Sequence, residues 1–355
     1  MTIHLIKIKI NHSFTKSQLT NSQLTNSQLN MEFESRIDLS DLQEAVANIR
    51  AEIGKIIIGQ QNTIDLLLTA IFADGHVLLE GVPGVAKTLT AKLLAKTIST
   101  DFSRIQFTPD MMPSDVLGTA IFNPKTAEFD FKKGPIFSNI ILIDEINRSP
   151  AKTQAALFEV MEERQITNSG TTYPMSFPFL VMATQNPIEQ EGTYRLPEAQ
   201  LDRFLFKIII NYPSYQEEIQ ILQGNHTRSS AASSNPVELI DSILTPAQLT
   251  ALREKVRQSI VDIKILEYIA KIIHETRNSK FIYLGASPRA SVALLNASKA
   301  LAAIRGRDFV TPEDVQELTP AVLRHRIILT PEKEMEGSTP EDIITQILQK
   351  IEVPR

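Results

Sequence analysis

Apolar residues fall into two rhythms along this chain. From Asp41 to Lys55 they recur every three or four positions (Leu42, Val46, Ile49, Ile53), which predicts an amphipathic helix. From residue 77 the texture changes. The runs His76–Glu80, Arg104–Phe107, Ile140–Ile143, Phe179–Ala183 and Phe206–Ile210 read as strands, with helical patterns at Lys87–Thr97 and Ala151–Glu163. Strands that alternate with helices predict a parallel sheet covered by helices. The run "NIILIDE" is apolar without alternation, as expected of a central strand buried on both faces.

Past residue 236 the strand signals stop. Helix starts are marked by Thr245-Pro246, Ser287-Pro288 and Thr311-Pro312-Glu313-Asp314, because a hydroxyl can cap free N–H groups and proline fits the first helical position. The organisation expected is an α/β core over 31–224, a small, polar linker over 225–236 and a separate all-α domain over 237–331. A tail helix over 332–355 opens at Thr339-Pro340. Residues 17–30 repeat as "SQLT NSQLT NSQLN". Residues 1–30 therefore read as a disordered tail, and Met31 as an alternative start of translation.

Composition narrows the classes. With 355 residues, 43% apolar and 22% charged, the chain can bury a sizeable core. Its net charge of −5 argues against broad binding to nucleic acid or membrane phosphates. The absence of cysteine excludes disulfides and thiolate metal sites, and the six histidines show no ligand spacing. No apolar run approaches the ~20 residues of a membrane span. The segment "MTIHLIKIKI" lacks a cleavage site, so a cytoplasmic location is expected.

The chemistry concentrates at strand ends. "LLEGVPGVAKTLT" resembles a phosphate-binding loop, in which bare backbone amides and a helix N-terminus converge on an anion. Gly81, Val82, Pro83, Gly84, Val85, Ala86, Lys87, Thr88 and Leu89 form the cradle. Lys87 would charge-balance the outer phosphates, and the Thr88 hydroxyl would meet Mg²⁺. Ala86 stands where the pattern asks for glycine. A negative φ there would favour alanine by ~0.5–1 kcal/mol, whereas a positive φ would strain it. Asp144 and Glu145 close the strand "IILIDE", where open α/β sheets bind ligands. Asp144 would hold Mg²⁺ through water, and Glu145 would orient and deprotonate the attacking water. A third strand ends in Thr184-Gln185-Asn186, and the Asn186 amide could steady that water.

"GVPGVAKT", "LIDEINR", "ATQNP", "EGTYRLPEAQLDRF" and "GASPRA", in this order over roughly residues 31–330, resemble the signatures of the MoxR family of AAA+ ATPases. The resemblance implies a P-loop NTPase core with a five-stranded parallel sheet, followed by a smaller all-α lid. Alanine at the sixth loop position is common in that family. By resemblance, Arg203 is the arginine finger reaching a neighbouring subunit's site, with Arg195 as a rival. Arg289 is the second sensor, reading the γ-phosphate from the lid, and Ile58 and Gly59 pack on adenine. The segment 117–137 is an inserted β-hairpin whose Phe129 and Phe131 either meet a partner or bury against the core.

The function implied is ATP hydrolysis with Mg²⁺ in a ring, most simply a homohexamer, that remodels or matures a client protein beside a von Willebrand factor A domain partner. Nucleic acid is not expected as a partner. Competing readings are a metal-chelatase-type motor, a nucleic-acid translocase and a P-loop switch that does not hydrolyse.

Overall fold

The structure is a computed structural model that describes residues 37–354 other than 126, 169, 187–193, 195 and 230–234. Residues from Ile37 onward form one compact unit. Two helices, α1 (Ser40–Gly54) and α2 (Gln61–Ala73), lead into β1 (His76–Gly81), α3 (Lys87–Thr97), β2 (Phe102–Gln106) and α4 (Pro113–Leu117). There follow the hairpin β3 (Gly118–Asn123) and β4 (Glu128–Lys133), then β5 (Ile140–Asp144) and α5 (Ala151–Glu163). A second hairpin, β6 (Gln165–Asn168) and β7 (Thr171–Pro174), precedes β8 (Leu180–Gln185), α6 (Glu198–Leu201), β9 (Phe204–Ile210) and α7 (Tyr215–Ser229). The remainder is α8 (Pro246–Arg257), α9 (Ile263–Asn278), β10 (Ile282–Leu284), α10 (Pro288–Ile304), α11 (Pro312–Leu323), β11 (Ile328–Leu329), α12 (Pro331–Met335) and α13 (Pro340–Lys350).

The main sheet has five parallel strands in the order β2-β5-β8-β1-β9. Every residue of β5 is buried, which explains its apolar run without alternation. Successive side chains still point to opposite faces. Val77, Leu79, Ile140 and Leu142 join the core shared with α1, α2, α3 and the C-terminal helices. Leu78, Ile141 and Ile143 join a second core beneath α5. The sheet is thus sandwiched, and its carboxyl edge is left for chemistry.

All four Ser/Thr-Pro starts open helices. Thr245, Ser287 and Thr339 each accept a first-turn N–H, and Thr311 completes a capping box with Asp314. Four features depart from the sequence reading. A helix, α2, forms where none was assigned, its apolar face buried by Ile64, Leu67, Leu68 and Ile71. The β6–β7 hairpin was not assigned, although the sequence joins its strands by the turn dipeptide Ser169-Gly170. The C-terminal helices are not free of strands, because β10 and β11 pair antiparallel. Finally, α7 continues through Ser229 and so covers the first part of the segment read as a linker. The repeat at 17–30 and Met31 lie outside the described residues.

The expected hairpin at 117–137 is present as β3–β4, with Phe122 opposite Phe129. It begins at Gly118, whose φ of 106° and 2.3 Å from an ideal Cβ to the Lys132 carbonyl exclude a side chain. Its two aromatics part ways. Phe131 stacks on Tyr173 at 4.7 Å between ring centroids, while Phe129 is 69% exposed.

Candidate nucleotide site

The loop between β1 and α3 is shaped by two left-handed residues. Gly84 has φ 85°, and Ala86, the residue before the helix, has φ 59° and ψ 22°. Of the two cases for Ala86, the strained one holds: this alanine sits in the region that costs an L-residue about 1–2 kcal/mol. The helix start repays part of that cost. The Ala86 carbonyl accepts both the Thr90 N–H (2.9 Å) and the Thr90 hydroxyl (3.1 Å). Lys87 opens α3, and its Nζ donates to the Gly81 carbonyl at 2.6 Å, which lays the ammonium across the mouth of the loop. Burial lowers its pKa, against the pull of Asp144, Glu145 and Glu80. Thr88 is half-buried in the first turn of α3.

Beside the loop lies a cavity of about 560 Å³ lined by Ile58, Gly59, Val85, Ala86, Leu89 and Tyr212. The Gln60 amide donates to the Val85 carbonyl at 3.0 Å and fastens the segment carrying Ile58 and Gly59 to the loop. An apolar cavity opening onto a phosphate cradle suits a purine base.

Parallel pairing brings the acids alongside. Asp144 ends β5, and Oδ2 accepts the Arg104 Nε–H at 2.6 Å while Oδ1 accepts the Thr184 hydroxyl at 3.2 Å. The same hydroxyl accepts the Glu145 N–H at 3.0 Å. Glu145 also has a left-handed backbone (φ 58°, ψ 50°), which turns its side chain out of the strand direction. Its Oε2 accepts from the Gln106 amide at 2.7 Å and pairs with Arg148 at 3.0 Å. Asn186 follows β8 directly. Since β8 lies between β5 and β1, Asn186 leaves the sheet between the acids and the loop.

Sequence reasoning singled out neither Arg104 nor Gln106, because β2 carries no motif. The only signal was position: they stand two apart on the strand that pairs with the acid-bearing one, with Gln106 opposite Asp144. Thr184 was read only as part of a polar cluster. A hydroxyl at Thr88 and a carboxylate at Asp144 are hard oxygen donors of the kind that Mg²⁺ takes together with phosphate oxygens and water. Among the described residues no group of three or more His, Cys, Asp or Glu side chains is placed to hold a metal ion.

The two arginines assigned by resemblance stand elsewhere. Arg203 immediately precedes β9, whose first residue, Phe204, is in register with His76, the first residue of β1. Its guanidinium donates to the Phe158 carbonyl (2.6 Å) and pairs with Glu162 (2.6 Å). Arg289 in the first turn of α10 donates to the other oxygen of Glu162 at 2.5 Å. His76 contacts the Met161 carbonyl at 3.1 Å, which fixes this cluster at the amino edge of the sheet. Lys87 touches Gly81 at the carboxyl edge. The six residues of β1, about 3.3 Å apiece, stand between them. Within one chain, then, Arg289 does not reach the loop that Lys87 serves. Ser287 donates to Asp202 (2.7 Å), which Arg326 also grips (2.8 Å), so α10 is anchored beside Arg203. The rival Arg195 lies outside the described residues.

Known proteins are similar to this one in sequence and fold. Residues 76–206 match the family model described as ATPase family associated with various cellular activities (AAA), and residues 274–347 match the AAA lid domain. YeaC of Bacillus subtilis (strain 168) is 46% identical over 314 residues, covering 88% of this chain and 96% of that protein. Chaperone MoxR1 of Mycobacterium tuberculosis (strain ATCC 25618 / H37Rv) is 44% identical over 313 residues, covering 86% of this chain and 81% of that protein. A crystal structure from Cytophaga hutchinsonii ATCC 33406 superposes with a TM-score of 0.81 at 43% identity, covering 89% of this chain and 97% of that one. No helix among the described residues is long and apolar enough to cross a membrane. A loop, paired acids and a helical lid arranged in this way, with relatives of this closeness over most of their length, make the chain an ATPase of the MoxR family of AAA+ proteins.

Proposed function

We propose that the protein hydrolyses ATP at sites shared between neighbouring subunits of a ring, most simply a homohexamer, and uses the cycle to remodel or mature a client protein. The observation that carries this reading is the division of the machinery between two edges of one sheet. Lys87, Thr88, Asp144 and Glu145 stand at the carboxyl edge, while Arg203 and Arg289 stand at the amino edge. A site assembled from both edges needs two chains in head-to-tail contact, an arrangement that closes into rings.

In this reading the amides of the Gly81–Thr88 loop grip the phosphates and Lys87 neutralises their charge. Mg²⁺, held by Thr88 and Asp144, would offset charge on the β- and γ-phosphate oxygens. Glu145 takes the proton from the attacking water, which Asn186 orients. Gln106 and Arg148 hold the Glu145 carboxylate until that water arrives. Arg203 and Arg289 of the next subunit meet the charge that develops on the transferred phosphoryl group. The name of Chaperone MoxR1 supports a protein client. A cytoplasmic setting and a von Willebrand factor A domain partner complete the proposal.

The test is Glu145→Gln. ATP binding should persist, because the loop and Lys87 are untouched. Turnover should fall by about 10²–10⁴, the usual worth of a general base. Turnover at the native rate would remove Glu145 from that role.

A further inference from the structure

Glu162 has no part in the site above, yet it holds both of the arginines that the site needs. Its two carboxylate oxygens are divided between them, Oε2 to Arg203 at 2.6 Å and Oε1 to Arg289 at 2.5 Å. Arg203 comes from the turn before β9, Arg289 from the first turn of α10 and Glu162 from the last turn of α5. Three separate elements thus converge on one anion. Arg203 is fixed further by the Phe158 carbonyl, one turn back on the same helix as Glu162. The cluster is open on one side: a cavity of about 490 Å³ lined by Glu162, Arg203, Arg289 and Val292 adjoins it. Another anion can therefore approach the two guanidiniums without the core opening.

Resting on the shared-site reading, we propose that Glu162 is a positioning residue that sets Arg203 and Arg289 as one two-guanidinium clamp and competes for that clamp with the γ-phosphate of the neighbouring subunit's ATP. Planar guanidiniums bind carboxylate and phosphate through the same fork of donors. A carboxylate shared by two of them leaves the cluster one positive charge in excess. A phosphate brings more negative charge and more acceptor oxygens to the same donors, and it displaces Glu162 when subunits close. The partly exposed setting, more open at Arg289 than at Arg203, keeps the competing ion pairs weak enough to yield.

Glu162→Gln separates this role from a purely structural one. The amide oxygen still accepts a hydrogen bond, but the competing charge is gone. The Michaelis constant for ATP should fall by roughly threefold to tenfold, the worth of one or two partly exposed ion pairs. Inorganic phosphate, the probe for the vacated clamp, should inhibit correspondingly better. An unchanged KM and unchanged phosphate inhibition, at an unaltered melting temperature, would overturn the inference. So would a fall in kcat without a fall in KM, since Glu162 would then serve only as scaffold. Should the glutamine variant not fold, Glu162→Ala is read by phosphate inhibition alone, which should strengthen because the competing charge is gone, whereas unchanged inhibition would overturn the competition. Arg203→Ala is measured alongside. Full turnover in that variant removes the shared site and this inference with it. Impaired turnover there, beside an unaffected Glu162→Gln, removes only the inference.

Discussion

His76 ties the sheet to α5, and its protonation state can be read from its contacts. Nδ1 accepts the Val181 N–H at 3.0 Å, so the proton resides on Nε2 and is donated to the Met161 carbonyl at 3.1 Å. The ring is buried and meets Phe179 edge-on. Burial, reinforced by the charge of Arg164, pushes its pKa down from 6.5 to about 4. The folded state therefore keeps His76 neutral where the unfolded chain already binds a proton. Stability from this group is complete above about pH 6.5 and is lost as the pH falls towards 4. Between pH 7.5 and 4.5 the loss is about 2–3 kcal/mol, at about 1.4 kcal/mol per pH unit over the window. Urea unfolding followed by circular dichroism at the two pH values, for the native protein and for His76→Gln, isolates the term. The substitution lowers stability at both, but the native protein should lose about 2–3 kcal/mol more on acidification than the variant does. Equal losses would show that His76 is not buried neutral, and the anchoring of α5 would need another explanation.

Three further outcomes follow. Ala86→Gly relieves about 1–2 kcal/mol of left-handed strain and returns part of it as backbone entropy. Its melting temperature should hold or rise slightly with ATP affinity retained, and a clear drop would contradict the positive φ. In contrast, Ala91→Gly within the same helix α3, where the packing is complete, should cost about 1 kcal/mol or more; no loss in a thermal melt would contradict that packing. Asp314 is wholly buried between Arg305 (3.2 Å) and Arg307 (2.6 Å), so Asp314→Ala leaves Arg307 without its counter-charge, while Arg305 keeps Glu317 (2.7 Å). A loss of about 3 kcal/mol, several degrees in Tm, is expected, and a neutral result would mean that the arginines simply turn to solvent.

Much of this molecule was legible before any coordinates. Lys87–Thr97 and Ala151–Glu163 were placed to the residue, because their apolar spacing and flanking Gly or Pro leave little freedom. The five strands of the main sheet were placed within a residue or two, because buried parallel strands are apolar throughout. The loop and the paired acids were legible because phosphate chemistry demands those residue types at strand ends. What escaped was tertiary in origin. The conformation of Ala86 is imposed by the turn, and local propensity points the other way. Arg104 and Gln106 matter only because β2 pairs beside β5. The meeting of Arg203 and Arg289 on Glu162 depends on three elements separated by up to 127 residues, and no local pattern reports it.

The central claim is that one site needs two chains. Lys87→Ala and Arg203→Ala proteins should each be inactive alone, the first for want of a phosphate grip and the second for want of the neighbour's guanidinium. Mixed in equal amounts and allowed to exchange subunits, they should regain ATPase activity, since random assembly restores about one interface in four. Silence at every mixing ratio, with exchange demonstrated, would contradict the account.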